Sequence, residues 1–177
     1  MKSIFVQIAS YRDPELIPTI KDLIEKASKP ENLKICIAHQ YAEEDEWDRL
    51  DQFADDGRFT VIQIPYQESQ GTCWARNEIQ RHYNGEDYTL HLDSHHRFCK
   101  DWDTECIDII TNLQKEGFKK PLLTSYCPSY SLPDGKKIDD IVYGMRVNIW
   151  KDGVALFHPY AMEKTAAPVP SRFYSGH

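Results

Sequence analysis

Apolar and polar positions alternate along the first half of the chain in a regular order. Short apolar runs typical of buried strands occupy residues 4–9, 33–38 and 59–64. Between the first two, apolar residues recur at helical spacing from 16 to 24, which predicts a helix that Asp13 caps and Pro14 begins. The pattern predicts repeated strand–helix–strand units, and therefore a layered α/β fold with a mostly parallel central sheet.

Further elements follow the same alternation. Trp47, Leu50 and Ala54 would share one face of an acidic helix before the third strand. Gly71 would open another helix, which precedes a strand at 88–92. A helix over residues 102–113, ended by Gly117, and a strand at 122–127 would then follow.

The last third of the chain has a different pattern. After a polar loop at 128–140, two apolar runs at 142–150 and 154–157 flank Asp152-Gly153, a dipeptide that favours tight hairpins. We expect this C-terminal antiparallel hairpin to add to the sheet. All 177 residues would form one domain.

Composition narrows the classes of partner. The net charge of −7 without a long basic block disfavours nucleic acid as a partner. No apolar run is long enough to cross a bilayer, so the sequence predicts no membrane span and a cytoplasmic protein. The five cysteines include no Cys-x-x-Cys pair, which favours free thiols over a structural zinc site.

The segment 88–97 carries the strongest chemical signal. Its apolar alternation runs into Asp93, Ser94, His95 and His96 at the carboxyl end of the predicted strand, where open α/β sheets bind ligands. Asp93 and His95 offer oxygen and nitrogen donors to a divalent cation, of which Mn²⁺ or Mg²⁺ best suits a phosphate-bearing substrate. The alternative is a solvated loop whose histidines have no role.

The first strand-to-helix turn is a second candidate. Backbone N–H groups of residues 10–13 and the Arg12 side chain could hold a nucleotide or phosphate at the helix N-terminus. Helix capping alone would also explain Asp13 and Pro14, and the turn lacks the glycines of a phosphate-binding loop.

Other polar residues admit two interpretations each. Arg76 would lie close to a helix start, where a cation opposes the helix dipole, so it either binds a negative ligand or forms a surface salt bridge. Trp102 would be a core residue, and Asp103 either a cap or a pocket residue. His39 and Gln40 could contact a base or be inert.

Four motifs in order carry a family likeness: Ile-Ala-Ser-Tyr-Arg-Asp-Pro at 8–14, Trp-Ala-Arg at 74–76, Leu-Asp-Ser-His at 92–95, and Trp-Asp at 102–103. With them the chain resembles the glycosyltransferases that include protein hydroxyproline N-acetylglucosaminyltransferases. Agreement among several independent motifs is more specific than any one of them.

The resemblance implies a GT-A fold, a Rossmann-like α/β sandwich that binds a UDP-sugar, first of all UDP-N-acetylglucosamine, and Mn²⁺ or Mg²⁺. Asp93-Ser94-His95 occupies the place of the family's Asp-x-Asp motif. The donor-binding residues that the resemblance implies are Ala9, Ser10, Tyr11, Arg12, Asp13, Arg76, Asp93 and Ser94. It implies Asp93 and His95 as metal ligands and Arg97 and Asp103 as further pocket candidates, and it identifies no catalytic residue.

Relatives of this type continue beyond the length seen here. The resemblance therefore implies a donor-binding part over residues 1–127 without the acceptor segment, and an acceptor protein or glycan of unknown kind. Two alternatives remain open: a non-catalytic module that binds a nucleotide sugar or a partner, and a metal-dependent phosphoesterase built on Asp93, His95, His96 and His39.

Overall fold

The structure of the protein, a computed structural model, describes residues 2–125, 127–139, 141–163 and 168–171. The chain divides into two compact units, residues 1–104 and residues 105–177. In the described residues, no helix combines the length and the apolar character that a membrane crossing requires.

The first unit is built on a four-stranded parallel sheet. Its strands are β1 (Ile4–Tyr11), β2 (Leu33–Tyr41), β3 (Phe59–Pro65) and β4 (Tyr88–Asp93), in the spatial order β3-β2-β1-β4. The central strand β1 therefore lies between β2 and β4, with Ala9 opposite both Ala38 and Asp93. The predicted mixed α/β fold with a mostly parallel sheet is confirmed, while the GT-A fold stays a prediction.

The described residues form three α-helices: α1 (Leu16–Glu25), α2 (Thr72–Gln80) and α3 (Trp102–Lys115). Of these, α3 begins at the end of the first unit and continues into the second. The Asp13 carboxylate accepts the Glu15 N–H at 2.9 Å and its carbonyl accepts the Leu16 N–H, so α1 begins two residues after the predicted Pro14. On one face of the sheet, α2 packs its apolar side chains against the strands. That core comprises Phe5, Cys36, Ala38, Ile64, Ala75 and Ile79.

Two predicted elements are wrong. The acidic helix around Trp47 is replaced by two short 3₁₀ helices, Glu46–Asp48 and Asp51–Phe53, with extended backbone at Arg49 between them. Asp45 pairs with Arg12, which follows β1, and Asp48 contacts His39 on β2, and these contacts outweigh the helical pattern. The strand predicted at 122–127 is not formed by the described residues of that range.

The second unit contains the predicted hairpin. Strands β5 (Val142–Lys151) and β6 (Val154–Met162) pair in antiparallel fashion around Asp152 and Gly153. Both turn residues have positive φ, +51° and +79°, as a type I′ turn requires. The hairpin is a two-stranded sheet of its own, so the predicted antiparallel addition to the larger sheet is wrong.

Candidate functional site

Two loops meet at the carboxyl edge of the parallel sheet. One follows β1 and carries Asp13, and the other follows β4 and carries Ser94 and His95. Because β2 and β4 flank β1 on opposite sides, the chain changes direction across the sheet at this point. Open α/β sheets bind their ligands at such switch points.

Asp13 joins the two loops. Its Oδ2 accepts the Ser94 hydroxyl at 2.5 Å and lies 2.8 Å from His95 Nδ1. Burial raises the pKa of Asp13, but the hydrogen bonds from Ser94, His95 and the Glu15 N–H together lower it by more than burial raises it. The pKa of Asp13 therefore lies below its ordinary value. Asp13 is therefore a carboxylate at neutral pH, and a carboxylate can only accept hydrogen bonds.

Arg76 and Asp93 form a second pair at this edge. Arg76 Nη2 lies 2.9 Å from Asp93 Oδ1, and both side chains are about four-fifths buried, at 23% and 22% exposed. Arg76 is the fifth residue of α2 and not near the helix start as predicted, so the helix dipole does not explain its position. The two interpretations of Arg76 are binding of a negative ligand and a surface salt bridge. The structure shows an ion pair with Asp93, and that pair is only partly exposed.

His91 lies two residues before Asp93 on β4. Burial lowers the pKa of His91, and the positive charge of Arg76 lowers it further, although Asp93 opposes this. The Nε2 atom of His91 is buried and has no hydrogen-bond partner among the described residues. No pattern in the sequence singles out this histidine.

Arg12 is held by a carboxylate. Its Nε and Nη2 lie 2.6 Å and 2.9 Å from the two oxygens of Asp45, and its guanidinium stacks over the Tyr66 ring at 4.7 Å. The hydrogen bond with Asp45 raises the pKa of Arg12, and the same bond lowers the pKa of Asp45. The guanidinium of Arg12 is thus occupied by Asp45 and Tyr66. Binding of a sugar donor by Arg12 stays a prediction.

A cleft of about 490 Å³ lies beside the N-terminus of α2. It is lined by Tyr11, Gln40, Tyr66, Ser69, Gly71 and Thr72. Gln40 does not face it freely, since its amide donates to the Ser10 carbonyl at 3.0 Å and accepts the Ser69 hydroxyl at 2.5 Å. Gly71 has φ of +93°, a conformation that suits glycine and lets the chain turn into α2.

The cleft includes residues that the sequence did not indicate. Of the predicted donor-binding residues only Tyr11 lines it, whereas Tyr66 and Ser69 come from a loop without a motif. The only available signal was the position of this loop, directly before the helix that carries Arg76. Ser10 is fully buried, and its hydroxyl has no partner among the described residues, while the neighbouring Ala9 is partly buried.

Arg97 and Asp103 anchor the chain rather than line this cleft. The two Asp103 oxygens accept the N–H groups of Ser28 and Lys29, each at 2.8 Å. Arg97 donates to the His96 carbonyl at 2.8 Å and pairs with Glu15. Asp103 thus holds the segment after α1, a role that neither of its two interpretations included.

His39 stands apart from the other histidines. It is buried, with Nδ1 2.9 Å from Gln63 Oε1 and Nε2 2.9 Å from an oxygen of the buried Asp48. His95 instead contacts Asp13. Among the described residues, no three His, Cys, Asp or Glu side chains come close enough together to hold a metal ion, so the hydrolytic centre that would include His39 is not assembled.

Asp93 and His95 nevertheless carry donor atoms of the types that bind divalent metal ions. Asp93 offers carboxylate oxygens, and His95 keeps Nε2 available while Nδ1 contacts Asp13. Mg²⁺ is commonly bound by one or two carboxylates together with substrate phosphates and water, and an imidazole nitrogen is a ligand that transition metals accept. Two side chains are therefore enough for a metal that binds together with a diphosphate.

These features define an α/β protein with a cluster of polar side chains at the carboxyl edge of a parallel sheet. A family model described as Glycosyltransferase (GlcNAc) matches residues 3–58 and 47–177. The chain belongs to this glycosyltransferase family. No curated protein gives a match. The predicted resemblance to a glycosyltransferase is confirmed, and the activity class of the chain is glycosyl transfer.

Proposed function

We propose that the protein transfers N-acetylglucosamine from UDP-N-acetylglucosamine to a hydroxyl group of an acceptor protein or glycan. The observation that carries the proposal is the Arg76–Asp93 pair beside the Asp13–Ser94–His95 cluster, at one sheet edge in a glycosyltransferase chain. The cleft at the N-terminus of α2, the helix that carries Arg76, has space for a nucleotide.

The proposed chemistry follows from where charge develops. When the bond between the sugar and the diphosphate breaks, negative charge grows on the departing diphosphate, and a fixed cation beside it stabilises the transition state. Arg76 is that cation in the proposal, and Asp93 keeps its guanidinium in place at 2.9 Å.

Asp93 and His95 are the residues that would hold Mn²⁺ or Mg²⁺. The ion would supply further positive charge for the diphosphate. Ser94 contributes by fixing the loop through Asp13, and the aromatic rings of Tyr11 and Tyr66 offer apolar surface to the nucleotide in the cleft.

The test is calorimetric titration of UDP and UDP-N-acetylglucosamine into the purified chain, with Mn²⁺ and then with the metal chelated. We expect Mn²⁺-dependent binding in the wild type, and binding at least about tenfold weaker in Asp93→Asn, because this change affects both the metal and Arg76. In a turnover assay, Arg76→Gln should lower the rate about 10²-fold.

A matched control is available at the opposite edge of the sheet. Asp56 and Arg58 form a similar carboxylate–guanidinium pair at 2.6 Å, before β3 begins. Asp56→Asn should bind UDP like the wild type. Binding without release of UDP in the presence of acceptors would favour the non-catalytic module, hydrolysis of simple phosphate esters would favour the phosphoesterase, and unaltered binding in Asp93→Asn would refute the proposed site.

A further inference from the structure

Asp13 has a different environment from that of a ligand-contacting residue. Its Oδ1 accepts the Glu15 N–H and its Oδ2 faces both Ser94 and His95, so each oxygen already has a protein partner. Only 18% of the side chain is exposed. The His95 side chain, in contrast, is 58% exposed, and it is the part of the cluster that a ligand can reach.

The backbone around His95 is fixed independently of Asp13. Two side chains of α1 hold the backbone that follows His95. The Thr19 hydroxyl accepts a hydrogen bond from the His96 N–H and donates one to the His96 carbonyl, and Asp22 accepts the Phe98 N–H at 2.6 Å. The loop would therefore keep its path if Asp13 lost its charge. The contacts of Asp13 with this loop are to the side chains of Ser94 and His95.

The hydrogen bond also fixes the tautomer of His95. Since a carboxylate has no hydrogen to give, Nδ1 of His95 must carry the hydrogen that lies between it and Asp13. In the neutral ring this leaves Nε2 with a free lone pair directed away from Asp13. Metal-binding histidines are commonly held in this way, by a carboxylate on the nitrogen that does not bind the metal.

We infer that Asp13 is a positioning residue, which orients His95 and sets its tautomer so that Nε2 can bind the divalent cation, and does not itself contact the donor. This inference rests on the proposed function for the identity of the ion. The inference goes beyond the proposed function because it gives Asp13 a role different from that of a donor-binding residue.

Asp13→Asn is the informative variant, because it keeps the shape of the side chain. The amide oxygen can still accept the Glu15 N–H, but an NH₂ group would then face His95 in place of Oδ2. Two donors cannot pair, so His95 should turn or shift its hydrogen to Nε2. Asp22→Asn is the matched control, since it changes a carboxylate of α1 that contacts the same loop at the Phe98 N–H and not at His95.

The first measurement uses the metal-free full chain. Long-range ¹H–¹⁵N spectra at about pH 8.5, where imidazole is neutral, report which ring nitrogen carries the hydrogen. We expect Nδ1–H for His95 in the wild type and in Asp22→Asn, and loss of that tautomer in Asp13→Asn. The His95→Gln variant assigns the signal.

The second measurement is Mn²⁺ affinity by electron paramagnetic resonance, with Mn²⁺ alone and with UDP. We expect Asp13→Asn to weaken Mn²⁺ binding by about 10–100-fold and Asp22→Asn to leave it unchanged. An unchanged tautomer or unchanged Mn²⁺ affinity in Asp13→Asn would overturn the inference, as would a wild type that binds no Mn²⁺.

Failure of the proposed function has a separate signature. If the wild type binds no UDP-N-acetylglucosamine and releases no UDP, while the tautomer and Mn²⁺ affinity change as expected in Asp13→Asn, the transferase proposal fails and the role of Asp13 stands.

Discussion

At the scale of single residues, His91 makes the sharpest pH prediction. Its folded-state pKa lies below the ordinary value of 6.5, because burial and Arg76 oppose a positive ring. The unfolded chain therefore binds a proton more readily than the folded one, and protonation favours unfolding. The contribution of His91 is favourable above pH 6.5 and is lost as pH falls from there towards the folded-state pKa.

We expect the urea midpoint of the wild type to fall as pH drops below 6.5, and His91→Gln to show a smaller fall. His82→Gln, at an exposed histidine beyond α2, is the control and should follow the wild type. Parallel pH profiles for His91→Gln and the wild type would contradict this account.

The individual residues also show what sequence can and cannot predict about a site. The Asp93 to His95 motif could be found, because its residue types suit metal binding and it follows an apolar strand. The partner of each side chain could not be found from the sequence. Asp13 contacts His95 from 82 positions away, and Asp45, which pairs with Arg12, lies in a segment with no motif. Such pairs depend on where the loops meet in space.

At the scale of elements, segments with regular apolar spacing were predictable. A segment whose structure depends on contacts with distant side chains was not. Helix α1 and the strands β1 to β3 follow from apolar spacing alone. The segment around Trp47 has helical spacing too, yet it breaks into two 3₁₀ helices, with Asp45 bound to Arg12 and Asp48 beside His39. Tertiary contacts can outweigh a weak local preference of this kind.

The β5–β6 turn supports a prediction at this scale. Gly153 has φ of +79°, which costs an L-residue roughly 1–2 kcal/mol, so Gly153→Ala should loosen the hairpin. Amide hydrogen exchange should show about tenfold lower protection along β5 and β6. Asp152→Gly is the matched control: it relieves positive φ at the other turn position and should not reduce protection. Equal loss in both variants would contradict the turn argument.

At the scale of the whole molecule, the candidate site belongs to one unit. Every residue of the Asp13 cluster, the Arg76–Asp93 pair and the cleft lies within residues 1–104. The second unit carries the hairpin, on which Trp150 is 71% exposed. Sequence motifs identified the class of the whole chain, because four of them occur in a fixed order, but they did not indicate the division into two units.

The strand order β3-β2-β1-β4 also constrains how the chain can fold. Arg12 and Asp45 are 33 positions apart, whereas Thr19 and His96 are 77 apart, and closing longer loops costs more entropy. In refolding with pulsed hydrogen exchange, the Arg12 N–H, bonded to the Gln40 carbonyl, should be protected before the His96 N–H. Simultaneous protection would contradict this order.

A newly made chain would then complete β1, β2 and β3 first, and Asp13 would remain without Ser94 and His95 until β4 inserts beside β1. Binding competence would be the last property this unit acquires, and a mutation that slows the insertion of β4 would delay activity without altering the finished protein.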